Sequence, residues 1–298
     1  RGFEISLDAD VIRSKDFTWN VSGNIGFNSS KIRKLGLPLA FYGNNQYSAY
    51  LGNSIGDHFG VANIFIEGKA PGLFWGYKTD GIIQKGDDVP QKSENKNTIA
   101  GSTDPGNIKF VDSNGDGMIT EDDKVILGDP NPDFTYGFQT RLTYKDISLS
   151  ASFNGVYGND LLNSNLRYEA MPAKNSSNNI RKEVYANIWR ADNPTNLYPG
   201  VNSTNPSSAV LDRYIEDGSF LRCSDITLGY TMPKSIVSKI GFENINIFAS
   251  VKNAFIITNY SGYDPEVNTF AFDGLKRGVD MNSFPQSRSY IFGLSVTF

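Results

Sequence analysis

The stretch Phe134-Thr135-Tyr136-Gly137-Phe138-Gln139-Thr140-Arg141-Leu142-Thr143-Tyr144, followed by Lys145-Asp146 and then Ile147-Ser148-Leu149-Ser150-Ala151-Ser152-Phe153-Asn154-Gly155-Val156-Tyr157, decides the fold. Large apolar side chains recur at every second position of both arms, the period of a strand rather than a helix. A two-residue turn at Lys145-Asp146 makes Tyr144 and Ile147 cross-strand neighbours, so the two apolar faces coincide. The other face carries Thr135, Gln139, Arg141 and Thr143 against Ser148, Ser150, Ser152 and Asn154. Each arm is about eleven residues long, the length a tilted strand needs to cross a bilayer. An antiparallel sheet packed on one side and wet on the other would show the same alternation.

The pattern repeats elsewhere. Phe3, Ile5, Leu7, Ala9 and Val11 precede Phe17, Trp19, Val21, Ile25 and Phe27, with Glu4, Asp8, Asp10, Asn20 and Asn24 on the reverse face. Further strands are expected at 63–67, 73–84, 219–231, 245–256 and 289–298, roughly nine or ten in all, enough for an arc of a larger barrel. Residues 232–240 read as a short helical turn entered at Pro233. Residues 158–212 read as a long polar connection with one helix from Ile180 to Trp189 capped by Asn179. Short turns at one end and long loops at the other are the asymmetry of an outer-membrane barrel. At the C-terminus Tyr290, Phe292, Leu294, Val296 and Phe298 form a wholly apolar face with aromatics at both ends, as on a lipid-facing strand.

Composition narrows the function. The 298 residues carry 28 basic and 32 acidic side chains, a formal net charge of −4, which argues against nucleic acid as a partner. Three Trp, 15 Tyr and 20 Phe exclude a disordered chain. The single cysteine (Cys223) and single histidine (His58) exclude a disulfide framework, a CxxC zinc site and any two-imidazole chemistry. No run of about 18 apolar residues is present, so no transmembrane helix is expected; a barrel remains open. The first residue is Arg1, without Met or a signal peptide, which reads as a piece of a longer protein.

Five phrases in order resemble the C-terminal region of the SusC/RagA family of TonB-dependent outer-membrane transporters. They are Ile66-Glu67-Gly68-Lys69-Ala70-Pro71-Gly72 with Gly76-Tyr77-Lys78-Thr79-Asp80-Gly81-Ile82; Asp112-Ser113-Asn114-Gly115-Asp116-Gly117 running into Leu127-Gly128-Asp129-Pro130-Asn131-Pro132-Asp133-Phe134; Gly218-Ser219-Phe220-Leu221-Arg222; Ile226-Thr227-Leu228-Gly229-Tyr230; and Gly262-Tyr263-Asp264-Pro265-Glu266. A terminal Phe in this register also resembles the barrel-insertion signal. The resemblance implies an all-β fold, with residues 1–298 supplying antiparallel C-terminal strands of a barrel of about 22 strands closed around a plug. It implies an outer-membrane location in a Gram-negative bacterium and no catalysis. Its implied partners are a SusD-like surface lipoprotein, the N-terminal barrel and plug of the same transporter, TonB acting through the plug, the lipid bilayer, and a glycan or peptide ligand.

Two sets of site residues stand out. Asp112, Asn114, Asp116, Met118 through its carbonyl and Asp123 have the spacing of a Ca²⁺ loop within 112–123, with Asp in place of the usual final Glu and no flanking helices. The alternative is an Asx-rich turn that needs no metal. Tyr168, Tyr185, Trp189 and Tyr198, interspersed with Asn163, Asn165, Asn178, Asn179 and Asn193 in the loop 158–212, suit a glycan, since aromatic faces stack on sugar rings and amides pair with hydroxyls. The alternative is that they pack the loop itself. His58 lacks a partner for catalysis, Cys223 reads as inert packing, and no two of Asp8, Asp10, Glu67 and Asp80 are singled out as a glycosidase pair. The sequons at Asn28, Asn175 and Asn202 read as composition.

These residues point to import of nutrient oligomers, oligosaccharide foremost, with peptide as the alternative cargo. Gln139, Arg141, Asn154 and Asn246 are expected to face the lumen. A secreted soluble β-sandwich that binds or cleaves glycan competes with this reading, and so does a non-specific porin.

Overall fold

A computed structural model describes residues 1–56, 59–89, 103–169, 179–204, 209–267 and 269–298. Seven long strands form one sheet in chain order: β1 (Gly2–Arg13), β2 (Phe17–Asn28), β3 (Phe134–Tyr144), β4 (Ile147–Tyr157), β5 (Phe220–Thr231), β6 (Asn244–Thr258) and β7 (Ser289–Thr297). All neighbours are antiparallel. The predicted hairpin is present in its predicted register, with Tyr144 opposite Ile147 and Lys145 at φ 52° in the turn. β1 and β7 are the two edges and do not pair with each other, so the sheet is an open arc.

The register sorts side chains into rows. One row runs Ile12, Trp19, Leu142, Leu149, Leu228, Ala249, Phe292; the next runs Phe17, Tyr144, Ile147, Tyr230, Ile247, Leu294. On the reverse face Asp10, Asn20, Arg141, Ser150, Thr227 and Ser250 form one row, and Asp8, Ser22, Gln139, Ser152, Asp225 and Lys252 another. The apolar rows have no covering layer. Phe138, Leu149 and Phe292 are 39%, 40% and 81% exposed and belong to neither hydrophobic core. A soluble sandwich would bury all three, so that alternative fails on this face.

The buried core lies elsewhere. Short connections at 14–16, 145–146 and 232–243 leave one end of the sheet, the last carrying a one-turn helix at Lys234–Val237 after Pro233. The long connections 29–133, 158–219 and 259–288 leave the other end, and their described residues fold together as a cap. Ile55, Phe74 and Tyr77 of the first, Leu162, Leu211 and Tyr214 of the second and Val279 of the third share one core. A four-stranded sheet (Ala49–Leu51, Asn63–Ile66, Leu73–Gly76, Val125–Gly128) and a three-stranded sheet (Ile215–Asp217, Asp160–Asn163, Val279–Asp280) frame it.

Three expectations are corrected here. The strands expected at 63–67 and 73–84 are short cap strands, four residues each at Asn63–Ile66, Leu73–Gly76 and Thr79–Ile82, so the arc has seven strands rather than nine or ten. Every residue from Asn63 to Ile66 is buried, a pattern for an interior sheet and not for a wall facing two different media. The helix expected from Ile180 is shorter, Lys182–Asn187, with Arg181 rather than Asn179 at its N-cap position and no side-chain cap bond.

Candidate functional site

The inner face of the sheet and the underside of the cap meet around the upper ends of β4 and β5. Asp225, on the inner face of β5, is the centre of a polar cluster: Lys252 Nζ lies 2.8 Å from one carboxylate oxygen, which also accepts from Ser250 Oγ at 2.8 Å, while Thr227 Oγ1 donates to the other at 2.8 Å. Gln139, Arg141, Asn154 and Asn246 stand on this same face by register, as expected. A wall with such groups inward and Leu, Phe and Tyr outward suits water on one side and hydrocarbon on the other.

Nearer the cap on the same strand, Arg222 ties wall to cap. Its Nη2 donates to Asp264 Oδ1 at 2.7 Å and its Nε lies 2.6 Å from Glu266 Oε2, in ion contact but off the line of an N–H bond. Asp264 also accepts from the backbone N–H of Glu266 and of Gln286, both at 3.0 Å. Arg222 and Asp264 are 6% and 5% exposed. Composition gave no sign of this pair; the phrases Phe220-Leu221-Arg222 and Tyr263-Asp264-Pro265-Glu266 carried it, because a charge on an otherwise apolar strand end needs a partner. Farther into the cap Tyr260 Oη donates to Asp280 Oδ2 at 2.7 Å, and burial together with that carboxylate pushes the Tyr260 phenol well above its ordinary range.

The sequence-derived residues occupy different surroundings. Trp189 is packed: its Nε1 donates to Gln84 Oε1 at 2.9 Å, its ring lies against Gly106, and its backbone N–H bonds the Tyr198 carbonyl at 3.0 Å. Tyr198 Oη donates to Glu183 Oε1 at 3.3 Å, and burial with that neighbouring carboxylate raises its phenol. Trp189 therefore holds segment 182–200 onto Gln84 and Gly106, while Tyr198 ties that segment to itself. Tyr185 is exposed. Tyr168 falls in the helix Asn165–Glu169, and its side chain lies outside the described residues, as do His58, Asn175 and Asn178.

In loop 112–123 the acidic side chains turn onto their own backbone. Asp112 accepts from Gly115 N at 2.6 Å and Gly117 N at 2.7 Å, Asn114 Oδ1 from Asp116 N at 2.9 Å, and Asp116 Oδ1 from Met118 N at 2.8 Å. Buried Asp123 accepts from Ser113 N at 2.8 Å and Thr120 N at 2.7 Å. Desolvation works to raise Asp112, but the Gly117 and Gly115 N–H donors outweigh it and lower its pKa; for Asp123 desolvation wins and raises it. Among the described residues no three His, Cys, Asp or Glu side chains gather as a metal site, and the loop is held by Asx turns onto its own backbone. Asp123→Ala should cost about 1–3 kcal/mol of local stability by stranding two N–H groups. Amide exchange at Ser113 and Thr120 reads this directly, and unchanged protection there would refute the assignment. Because Asp112 is depressed in the folded state, its hold on Gly115 and Gly117 is complete above the ordinary carboxylate range and is lost as pH falls through the lowered value.

Architecture and faces define a segment of an outer-membrane-type β-barrel wall carrying a folded cap. No family model matches the chain. It is 33% identical over 310 residues to the TonB-dependent receptor P3 of Formosa agariphila, covering 100% of this chain and 28% of that protein. It is 29% identical over 305 residues to the TonB-dependent receptor SusC of Bacteroides thetaiotaomicron, covering 100% of this chain and 26% of that one. Among solved structures it is similar to the RagAB peptide transporter, with a TM-score of 0.73 and 22% identity over 100% of this chain and 29% of the other. The chain thus spans less than a third of the length of these relatives; over its whole length it is similar to TonB-dependent receptors, SusC among them, and its fold is that of the matching part of the RagAB transporter.

Proposed function

We propose that the chain forms part of the wall and the extracellular cap of an outer-membrane importer that takes up nutrient oligomers with energy from TonB. The observation that carries this reading is the pair of opposed faces on one uncovered sheet, apolar rows outward and hydrogen-bonded polar rows inward. The cap occupies the end where ligand arrives, and a SusD-like lipoprotein closes over it. Oligosaccharide is the first cargo proposed. Exposed Tyr185 and the cap amides are its contact groups, while Trp189 and Tyr198 shape the surface behind them. Peptide is the second reading, favoured by the fold likeness to the RagAB peptide transporter.

The test is growth and labelled-oligomer uptake by cells carrying the full-length receptor, with and without TonB. Uptake should require both. Uptake that persists without TonB would make the protein a diffusion pore and remove this proposal.

A further inference from the structure

A groove of about 350 Å³ opens where the inner ends of β4 and β5 meet connection 259–288; it is lined by Val156, Asn159, Phe220, Glu266, Phe270 and Arg277 among others. Its charges are not balanced one for one. Glu266 is held 2.6 Å from Arg222, and Asp273, beside it on the rim, has Lys276 at 3.6 Å and the Asn53 amide at 3.2 Å. Lys276 also sits over the Phe270 ring, 4.6 Å from its centroid. Arg277 has no carboxylate partner among the described residues, although it is half-buried.

That guanidinium is not merely loose. Asn63, fully buried, donates from one amide nitrogen to Gly72 O at 2.8 Å and to Arg277 O at 3.1 Å, so a single side chain joins the two backbones. Gly72 takes φ +78°, and a Cβ there would meet Arg277 Cδ at 2.9 Å, so the arginine stem lies in the space a side chain at 72 would fill. Backbone and stem are both fixed before any ligand arrives, which lowers the ordering cost of using the head group. A half-desolvated planar cation presented in this way is matched by a carboxylate, which it grips through two parallel N–H bonds.

We propose that Arg277 is the anchor for a carboxylate on the imported oligomer, carried either by a uronate sugar or by the free C-terminus of a peptide. The inference rests on the importer reading and gives it a ligand chemistry. Full-length receptor in detergent would be titrated with trigalacturonate against maltotriose, and with tetra-alanine against tetra-alanine amide. In the wild type at least one acid should bind about tenfold or more tighter than its neutral counterpart, the scale of a charge-assisted bond, and which acid does so identifies the source. Arg277→Gln should bring that ratio to within about twofold while leaving the neutral compounds unchanged, which also shows that the groove is intact. Equal binding of acid and neutral compound in the wild type, or a preference that survives Arg277→Gln, would overturn the proposal. If TonB-dependent uptake persists in either of those cases, the importer reading stands and only the anchor falls.

Discussion

Arg222→Met should release the cap connection 259–288 from the wall while leaving the seven-stranded sheet folded. The expected loss is about 3–5 kcal/mol, the cost of breaking a buried ion pair by removing one member. The size follows from burial: side-chain exposure is 7% for Arg222 and 6% for Asp264, so water cannot take over for the missing guanidinium. Two backbone N–H groups would still reach Asp264, from Glu266 and Gln286, but neither carries a full charge. Glu266, a third exposed, should relax toward solvent at little cost. Limited proteolysis checks this, with new cleavage expected within 259–288 and heat-modifiable migration retained. The double variant Arg222→Met with Asp264→Leu should recover most of the loss, because an apolar pair needs no desolvation. If the single variant resists protease like the wild type, the ion pair is not what fastens the cap.

The wall was legible from residues because a strand between two media has to alternate, and alternation is a property of adjacent positions. Tyr144 opposite Ile147 follows from a two-residue turn alone, and the run from Tyr290 to Val296 is strand β7 in the expected phase. The cap was not legible in the same way. Ile64-Phe65-Ile66, Leu73-Phe74-Trp75, Leu161-Leu162 and Val210-Leu211 are short apolar runs with no period, and each finds its partner far away in sequence, as Tyr77 N does in bonding Val210 O at 2.9 Å. Polar composition between those runs hid a shared core, and with it the surroundings of the site residues. Trp189 and Tyr198 fit a sugar platform by residue type, yet a Trp beside glycines is equally suited to close packing, and the contact with Gly106 is visible only in three dimensions. Arg222 and Arg277 illustrate the same limit from the other side. Neither has an acidic residue next to it in sequence, and only folding distinguishes the one that is neutralised by Asp264 from the one that is not.

A charge placed on the outer face should be the sharpest test of which side meets lipid. Ala151→Arg or Ile226→Arg is expected to destabilise the folded barrel by about 2–4 kcal/mol, the cost of an arginine at the bilayer midplane, whereas Ser150→Arg on the reverse face should cost less than about 1 kcal/mol. Position along the strand makes the midplane assignment. Phe3, Phe27, Phe134 and Tyr157 lie in ring contact across β1 to β4 at the cap end, with centroids 4.8, 5.5 and 5.0 Å apart, and Phe17, Tyr144 and Tyr230 lie near the turn end. From Phe134 to Tyr144 the chain advances roughly 33 Å, which at a tilt of about 40° is about 25 Å along the membrane normal, the height of a barrel's apolar band. The outer-face row containing Thr140, Ala151 and Ile226 lies midway between the aromatic levels. Urea titration of the full-length receptor refolded into vesicles would measure all three variants. Equal stability of Ile226→Arg and Ser150→Arg would mean that both faces meet water, and neither the barrel wall nor a transport path along its inner side would survive that result.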